Sequence, residues 1–248
     1  MNIRLLIEYD GTDFHGWQRQ PELPTIQQAI ETAVTTLSGE KVTVHGAGRT
    51  DSGVHAKGQV ANFHTTSQII PEKWASALNA KLPPSIRILE SRSESESFHS
   101  RNHATSKVYE YYLLNRKHAS ALNRRVLHYP RKLDWEEIRK VLPLFVGEKD
   151  FRAFQGPNAS VRSTIRRVIR FDLIQDCTVE GLYHFTIEAN GFLKQMVRAI
   201  IGTVLEIGEH KMTAEEIPTI ILSRKRELAG RTAPANGLYL ALVKYDER

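Results

Sequence analysis

An α+β architecture is what the sequence predicts: two similar β-α-β-β-α-β halves with mainly antiparallel sheets, flanked by helices. Two observations lead there. Stretches with apolar residues at every second position interleave with stretches at helical spacing, and that succession occurs twice along the chain. The chain has 248 residues, 41% hydrophobic and 25% charged, which suffices for one large core or two small ones.

In the first half, Ile3, Leu5, Ile7 and Tyr9 alternate and read as a strand. Thr25 and Gln28 form a capping box. Behind it Ile26, Ala29, Ile30, Ala33, Val34 and Leu37 mark one helix face, closed by Gly39. Short strands are expected around Val42–Val44 and Val60–Phe63, a helix from Pro71 through Leu78, and a strand through Ile86 and Ile88. The polar run 91–101, SRSESESFHSR, reads as a linker. The halves are therefore expected at 1–103 and 104–248.

The second half opens with a strand carrying Tyr109, Tyr111 and Leu113 on one face. Asp134 and Glu137 cap a helix that Pro143 must kink or shorten. Strands are expected over roughly 163–175 and 181–190, then an apolar helix from Phe192 to Ile207. Thr213 with Glu216 caps a shorter helix, and Leu238, Leu240 and Leu242 form a closing strand. Duplicated β-α-β-β-α-β units are ferredoxin-like, a topology shared with RNA-recognition domains.

Composition narrows the function. The single cysteine, Cys177, excludes an internal disulfide and the usual thiolate zinc site, and suits a reducing cytoplasm. The longest apolar stretch, near Ala199–Ile207, is too short for a bilayer, and the N-terminus does not read as a secretion signal. Residues 1–103 carry 10 Lys and Arg against 11 Asp and Glu, whereas 104–248 carry 24 against 17, a net of +7. Clusters such as Arg124-Arg125 and Arg166-Arg167 suit a polyanion; they are equally compatible with a solvated basic face.

The segment GAGRTDSGVHA, 46–56, holds the most distinctive chemistry. It matches neither a dinucleotide fingerprint nor a phosphate-binding P-loop. Arg49 and Asp51, two apart in an extended backbone, project to one side. Asp-Ser-Gly is also ordinary turn chemistry, and the residues alone leave both readings open. Arg198 sits in a helix apolar on nearly every face, so it needs a partner such as Asp51 or a route to solvent. Tyr109 could stack on an unpaired base or simply be core. His99 and His103 have a metal-like spacing, but Ser100 stands where a zinc hydrolase would carry glutamate, so structural or solvated roles are expected.

Together these residues resemble the tRNA pseudouridine synthase A family. The resemblance runs in order through YDGTDFHGWQRQP (9–21), GRTDSGVHAKGQV (48–60), LNAKLP (78–83), FHSRNHATSKVYEYYL (98–113), GFLKQMVRAIIGTVLEIG (191–208) and APANGLYLALVKY (233–245). It implies isomerisation of uridine to pseudouridine at positions 38, 39 and 40 of the tRNA anticodon arm. It also implies a homodimer, with the catalytic cleft between two halves of a shared sheet. By that resemblance Asp51 is the nucleophile, Arg198 its partner, Tyr109 the ring that stacks on the uracil, and Arg49 the residue that helps displace the nucleotide. No cofactor, metal or membrane is implied. The chain departs from the family at Lys194-Gln195, where an aromatic-His pair is common, and at Ser100, where Ala is usual. Two rival classes remain: a non-catalytic RNA-binding protein of paired units, and a nucleoside or glycoside hydrolase, for which no second carboxylate is evident.

Overall fold

A computed structural model of the protein describes residues 1–158 and 161–246. In chain order its main elements are β1 (Asn2–Tyr9), α1 (Ile26–Ser38), β2 (His45–Gly46), β3 (His55–His64), α2 (Trp74–Asn79), β4 (Ile86–Glu94), β5 (Ala104–Leu114) and β6 (Leu127–His128). There follow α3 (Trp135–Val141), β7 (Gly147–Asp150), β8 (Ile165–Gln175), β9 (Leu182–Ala189), α4 (Met196–Gly208), α5 (Glu216–Ser223) and β10 (Leu238–Tyr245). The class is α+β, as expected. Two compact units divide the chain: Met1–Thr105 with Tyr239–Arg248, and Ser106–Leu238. The strand expected to close the second half thus packs, from Tyr239 on, with the first unit.

In the first unit β1 pairs antiparallel with β3 and with β4. The other edge of β3 is shared. Its far end takes β2 (His45 opposite Asn62), and its near end takes β10 in parallel (Tyr239 opposite His55). Thr25 caps α1 by accepting the Gln28 N–H, and Gly39 ends it at φ 75°. Ile26, Ile30, Ala33 and Val34 turn inward from α1, while Trp74 of α2 meets Phe63 of β3 edge-on.

Three expectations fail here for identifiable reasons. The strand at Val42–Val44 does not form, because the Val44 N–H goes to the buried Glu31 carboxylate at 3.0 Å; pairing starts at His45. The helix from Pro71 is a 3₁₀ turn followed by the short α2. The linker at Ser91–Arg101 is half wrong, since β4 runs through Glu94. Strand pairing there uses backbone groups that β1 supplies whatever the side chains, and Ser91 is buried beneath α2, accepting the Ala75 N–H.

In the second unit β5 pairs with β9, β9 with β8 and β8 with β7, all antiparallel; the short β6 runs parallel to β5. Neither β6 nor β7 was expected, each being too short to show a period. Asp134 caps α3 by accepting from the Glu136 and Glu137 N–H groups, and Pro143 hands the helix over to a 3₁₀ turn. Phe145, Phe154, Phe171 and Phe185 form the aromatic centre. The α4 helix starts at Met196 rather than Phe192, because Gln195 takes a left-handed φ of 59°. Eleven of its thirteen residues are buried, leaving Arg198 and Glu206.

Candidate active site

The loop 46–54 of the first unit is pinned from several sides. Gln59, buried on β3, grips Gly48 at both ends: it accepts the Gly48 N–H at 3.2 Å and donates to the Gly48 carbonyl at 2.7 Å. This side chain replaces ladder bonds where β2 has already ended. The Thr50 hydroxyl lies 2.8 Å from Tyr9 Oη inside the core, and burial pushes the Tyr9 phenol well above its usual range. The Thr50 carbonyl accepts from the Trp17 N–H at 3.1 Å, and the Trp17 carbonyl from the Gln27 N–H at 3.0 Å, so Trp17 couples the loop to α1.

Around Asp51 the chain makes a tight turn in which the Val54 N–H donates back to the Asp51 carbonyl at 3.1 Å, with Gly53 at φ 76°. Both Ser52 Oγ and the Gly53 N–H donate to the Phe14 carbonyl. Gly16 is indispensable to this approach. Its φ is 85°, and a Cβ there would sit 2.4 Å from the Thr50 carbonyl oxygen. The outcome is a rigid alternation: Thr50 points in and is buried, Arg49 is exposed and Asp51 half-buried. Turn and site are thus one object, with the turn chemistry setting where the carboxylate sits.

In the second unit Tyr109 lies on β5 opposite Ile187, nearly buried, its ring edge-on to Phe192 at 5.0 Å and 82°. Two residues on, Tyr111 shares its face and donates to the Pro234 carbonyl at 2.8 Å. Burial pushes the Tyr111 phenol up, and the charge of Arg198 pulls it partly back, which places that guanidinium near the same face. Arg198 is half-buried. Its Nε donates to the Ala233 carbonyl at 2.7 Å, while the Ala233 N–H returns a bond to the Arg198 carbonyl at 3.0 Å. The segment leading to Ala233 presses on α4 so closely that a Cβ at Gly202 would lie 1.6 Å from the Arg231 carbonyl. The structure therefore groups Arg49 with Asp51 in one unit, and Tyr109 with Arg198 in the other.

Among the described residues no cluster of three or more His, Cys, Asp or Glu has the arrangement of a metal site, and no helix is long and apolar enough to cross a membrane. His103 Nδ1 accepts the His99 N–H at 3.4 Å, a loop contact.

A family model described as tRNA pseudouridine synthase matches residues 5–101 and 142–246. The chain belongs to this family. Proteins named tRNA pseudouridine synthase A are similar along almost the whole length. The one from Acetivibrio thermocellus is 46% identical over 245 residues, covering 98% of this chain and 99% of that protein. Those from Ruminiclostridium cellulolyticum and Caldicellulosiruptor bescii are 44% and 43% identical, with the same coverage. Among solved structures an archaeal box H/ACA sRNP Nop10-Cbf5 complex covers 82% of this chain and 44% of that one. At 13% identity and a TM-score of 0.33 it carries no argument about the site.

Sequence reasoning missed several residues of this candidate site. Gln59 and Trp17 occur in the sequence reading only inside the quoted motifs, and their bonds to the loop, from the Gln59 side chain and the Trp17 backbone, are set by the tertiary fold. Phe192 was placed inside a helix, whereas it precedes one and meets Tyr109. The APAN segment, 233–236, was quoted as motif but not as the clamp on Arg198.

Proposed function

We propose that this chain isomerises uridine to pseudouridine at positions 38, 39 and 40 of the tRNA anticodon arm, with Asp51 as nucleophile. The observation that carries the reading is the pinned loop: in a chain of this family, a buried Thr50 locks the backbone and leaves Asp51 half-buried beside the exposed Arg49. The reaction breaks the bond from C1′ to N1 and forms one from C1′ to C5. The C5 proton leaves and N1 gains one, with no net oxidation, so no cofactor or metal is needed. A carboxylate attacking C1′ or uracil C6 divides this into easier steps.

Arg198 is assigned to hold Asp51 ionised and aimed, its own direction set by the Ala233 carbonyl. Tyr109 stacks on the uracil once the base has left its helix, which costs a few kcal/mol. Arg49, exposed beside Asp51, helps displace the nucleotide. The reading includes a homodimer in the cytoplasm, on the family pattern alone; a solution mass of one chain would remove the dimer.

The test is tRNA labelled with tritium at uridine C5. Wild type should release tritium while the uracil stays in the RNA as pseudouridine. Binding without release would return the chain to the RNA-binding class, and free uracil would make it a hydrolase.

A further inference from the structure

Segment 98–101 carries none of the roles assigned above, yet buried polar groups hold it firmly. The Asn2 amide donates to the carbonyls of Ser95 and Phe98, each at 2.9 Å. Asn62 donates to Asn2 Oδ1 at 3.0 Å and accepts the Ser100 N–H at 2.9 Å. Tyr245 Oη donates to the Ser100 carbonyl at 2.7 Å, and the Ser100 hydroxyl donates to the His45 carbonyl. Asn2, Asn62 and Ser100 are at most 1% exposed. Ser100, where the family commonly has Ala, thereby ties the loop to the start of the Asp51 segment.

What this scaffold presents is cationic. The His99 ring lies 5.0 Å from that of His45 at 38°. The Arg101 N–H donates to His99 Nδ1 at 3.2 Å, which leaves Nε2 as the N–H donor of the neutral ring. Burial, then the charge of nearby Arg49, holds the Arg101 guanidinium below its usual range. Burial, then His45 and Arg101, does the same to His99. Burial and Arg49 are what act on the Arg101 guanidinium, with no carboxylate among the influences. Bringing two guanidinium groups together costs energy that an entering anion returns. The first unit carries 12 Lys and Arg against 13 Asp and Glu, so this patch is not part of a general positive background.

We propose that Arg101, with Arg49, His45 and His99, forms a phosphate-gripping patch that holds the tRNA backbone beside the nucleotide delivered to Asp51. This deepens the function proposed above and rests on it. Guanidinium groups match phosphate oxygens in pairs, and a neutral imidazole N–H adds a donor without needing protonation. Contacts of this kind set register on the RNA and carry no base information.

The experiment is tRNA binding by the full chain across a series of salt concentrations, in an Asp51→Asn background so that turnover plays no part. Arg101→Gln should weaken binding to all tRNA substrates alike and lower the log–log salt slope by about 1. Arg101→Lys should retain the slope. Arg92→Gln removes an equal charge from an exposed arginine paired with Glu94 and should leave both quantities unchanged. An unchanged slope in Arg101→Gln, or an equal loss in Arg92→Gln, would overturn the patch. So would an Arg101→Lys variant that binds as poorly as Arg101→Gln and melts early, because that pattern reports a structural role. Pseudouridine formed by Asp51→Asn would instead sink the mechanism while leaving the patch measurement standing.

Discussion

Three consecutive residues, Arg49, Thr50 and Asp51, show how one buried hydroxyl organises a surface. With Thr50 fixed to Tyr9, its neighbours must face outward, and the chemistry proposed for them follows. Asp51→Asn keeps the shape and removes the attacking charge. Tritium release should vanish while tRNA affinity stays near wild type, and release at the wild-type rate would return Asp51 to a turn residue. Arg198→Ala should lose activity and also stability. It leaves the carbonyl of the buried Ala233 without its 2.7 Å donor, at a cost of about 1–3 kcal/mol. A variant that melts and turns over like wild type would refute that assignment. Arg49→Ala, whose side chain is exposed, should lower turnover or tRNA engagement without moving the melting temperature.

Elements here are held by side chains at the places where backbone pairing stops. The two-residue β2 cannot carry loop 46–54, so Gln59 and Trp17 continue the support. Gly16→Ala forces a positive φ on alanine and a 2.4 Å contact with the Thr50 carbonyl. It should reduce kcat far more than tRNA binding, and a kcat near wild type would show that the loop tolerates displacement. At the end of α4, the Glu209 carboxylate takes the Tyr129 hydroxyl at 2.8 Å, Arg131 at 3.0 Å and Lys211. Burial pushes this carboxyl up, but the three donors outweigh it and hold it down at about 2, against an ordinary 4.5. A depressed carboxylate stabilises above its unfolded value and loses that stabilisation as pH falls toward the folded one. Glu209→Gln should therefore melt below wild type at pH 7, and the gap should close between about pH 4.5 and 2. A gap that persists at the acid end would place its origin in packing.

For the whole molecule, the excess charge lies in Ser106–Leu238, with 22 Lys and Arg against 15 Asp and Glu. Not all of it is available to RNA. Arg131 is spent on Glu209 and Arg224 on Asp150 at 2.8 Å, whereas the Arg167 side chain is exposed. Binding of tRNA should weaken steeply with salt. Arg167→Gln should lower the log–log slope by about 1, and Arg131→Gln should leave it unchanged. Binding indifferent to salt would remove the second unit from the RNA interface.

Element types were readable wherever a local rule operates. Thr25 and Asp134 cap helices because their oxygens reach N–H groups two or three residues on, and Pro143 ends one because it lacks an N–H. The family was readable because its motifs are contiguous, and GRTDSG among them placed Asp51 and Arg49. Partners across the fold were not. The SRSE run became strand because β1 lay alongside, and the closing strand joined the first unit along the edge of β3. His99, expected to be merely structural or solvated, stands beside His45 and Arg101 because Asn2 and Asn62 hold its loop. Periodicity reports which way a side chain faces; what it meets there depends on chain segments dozens of residues away, and only the tertiary structure brings those together.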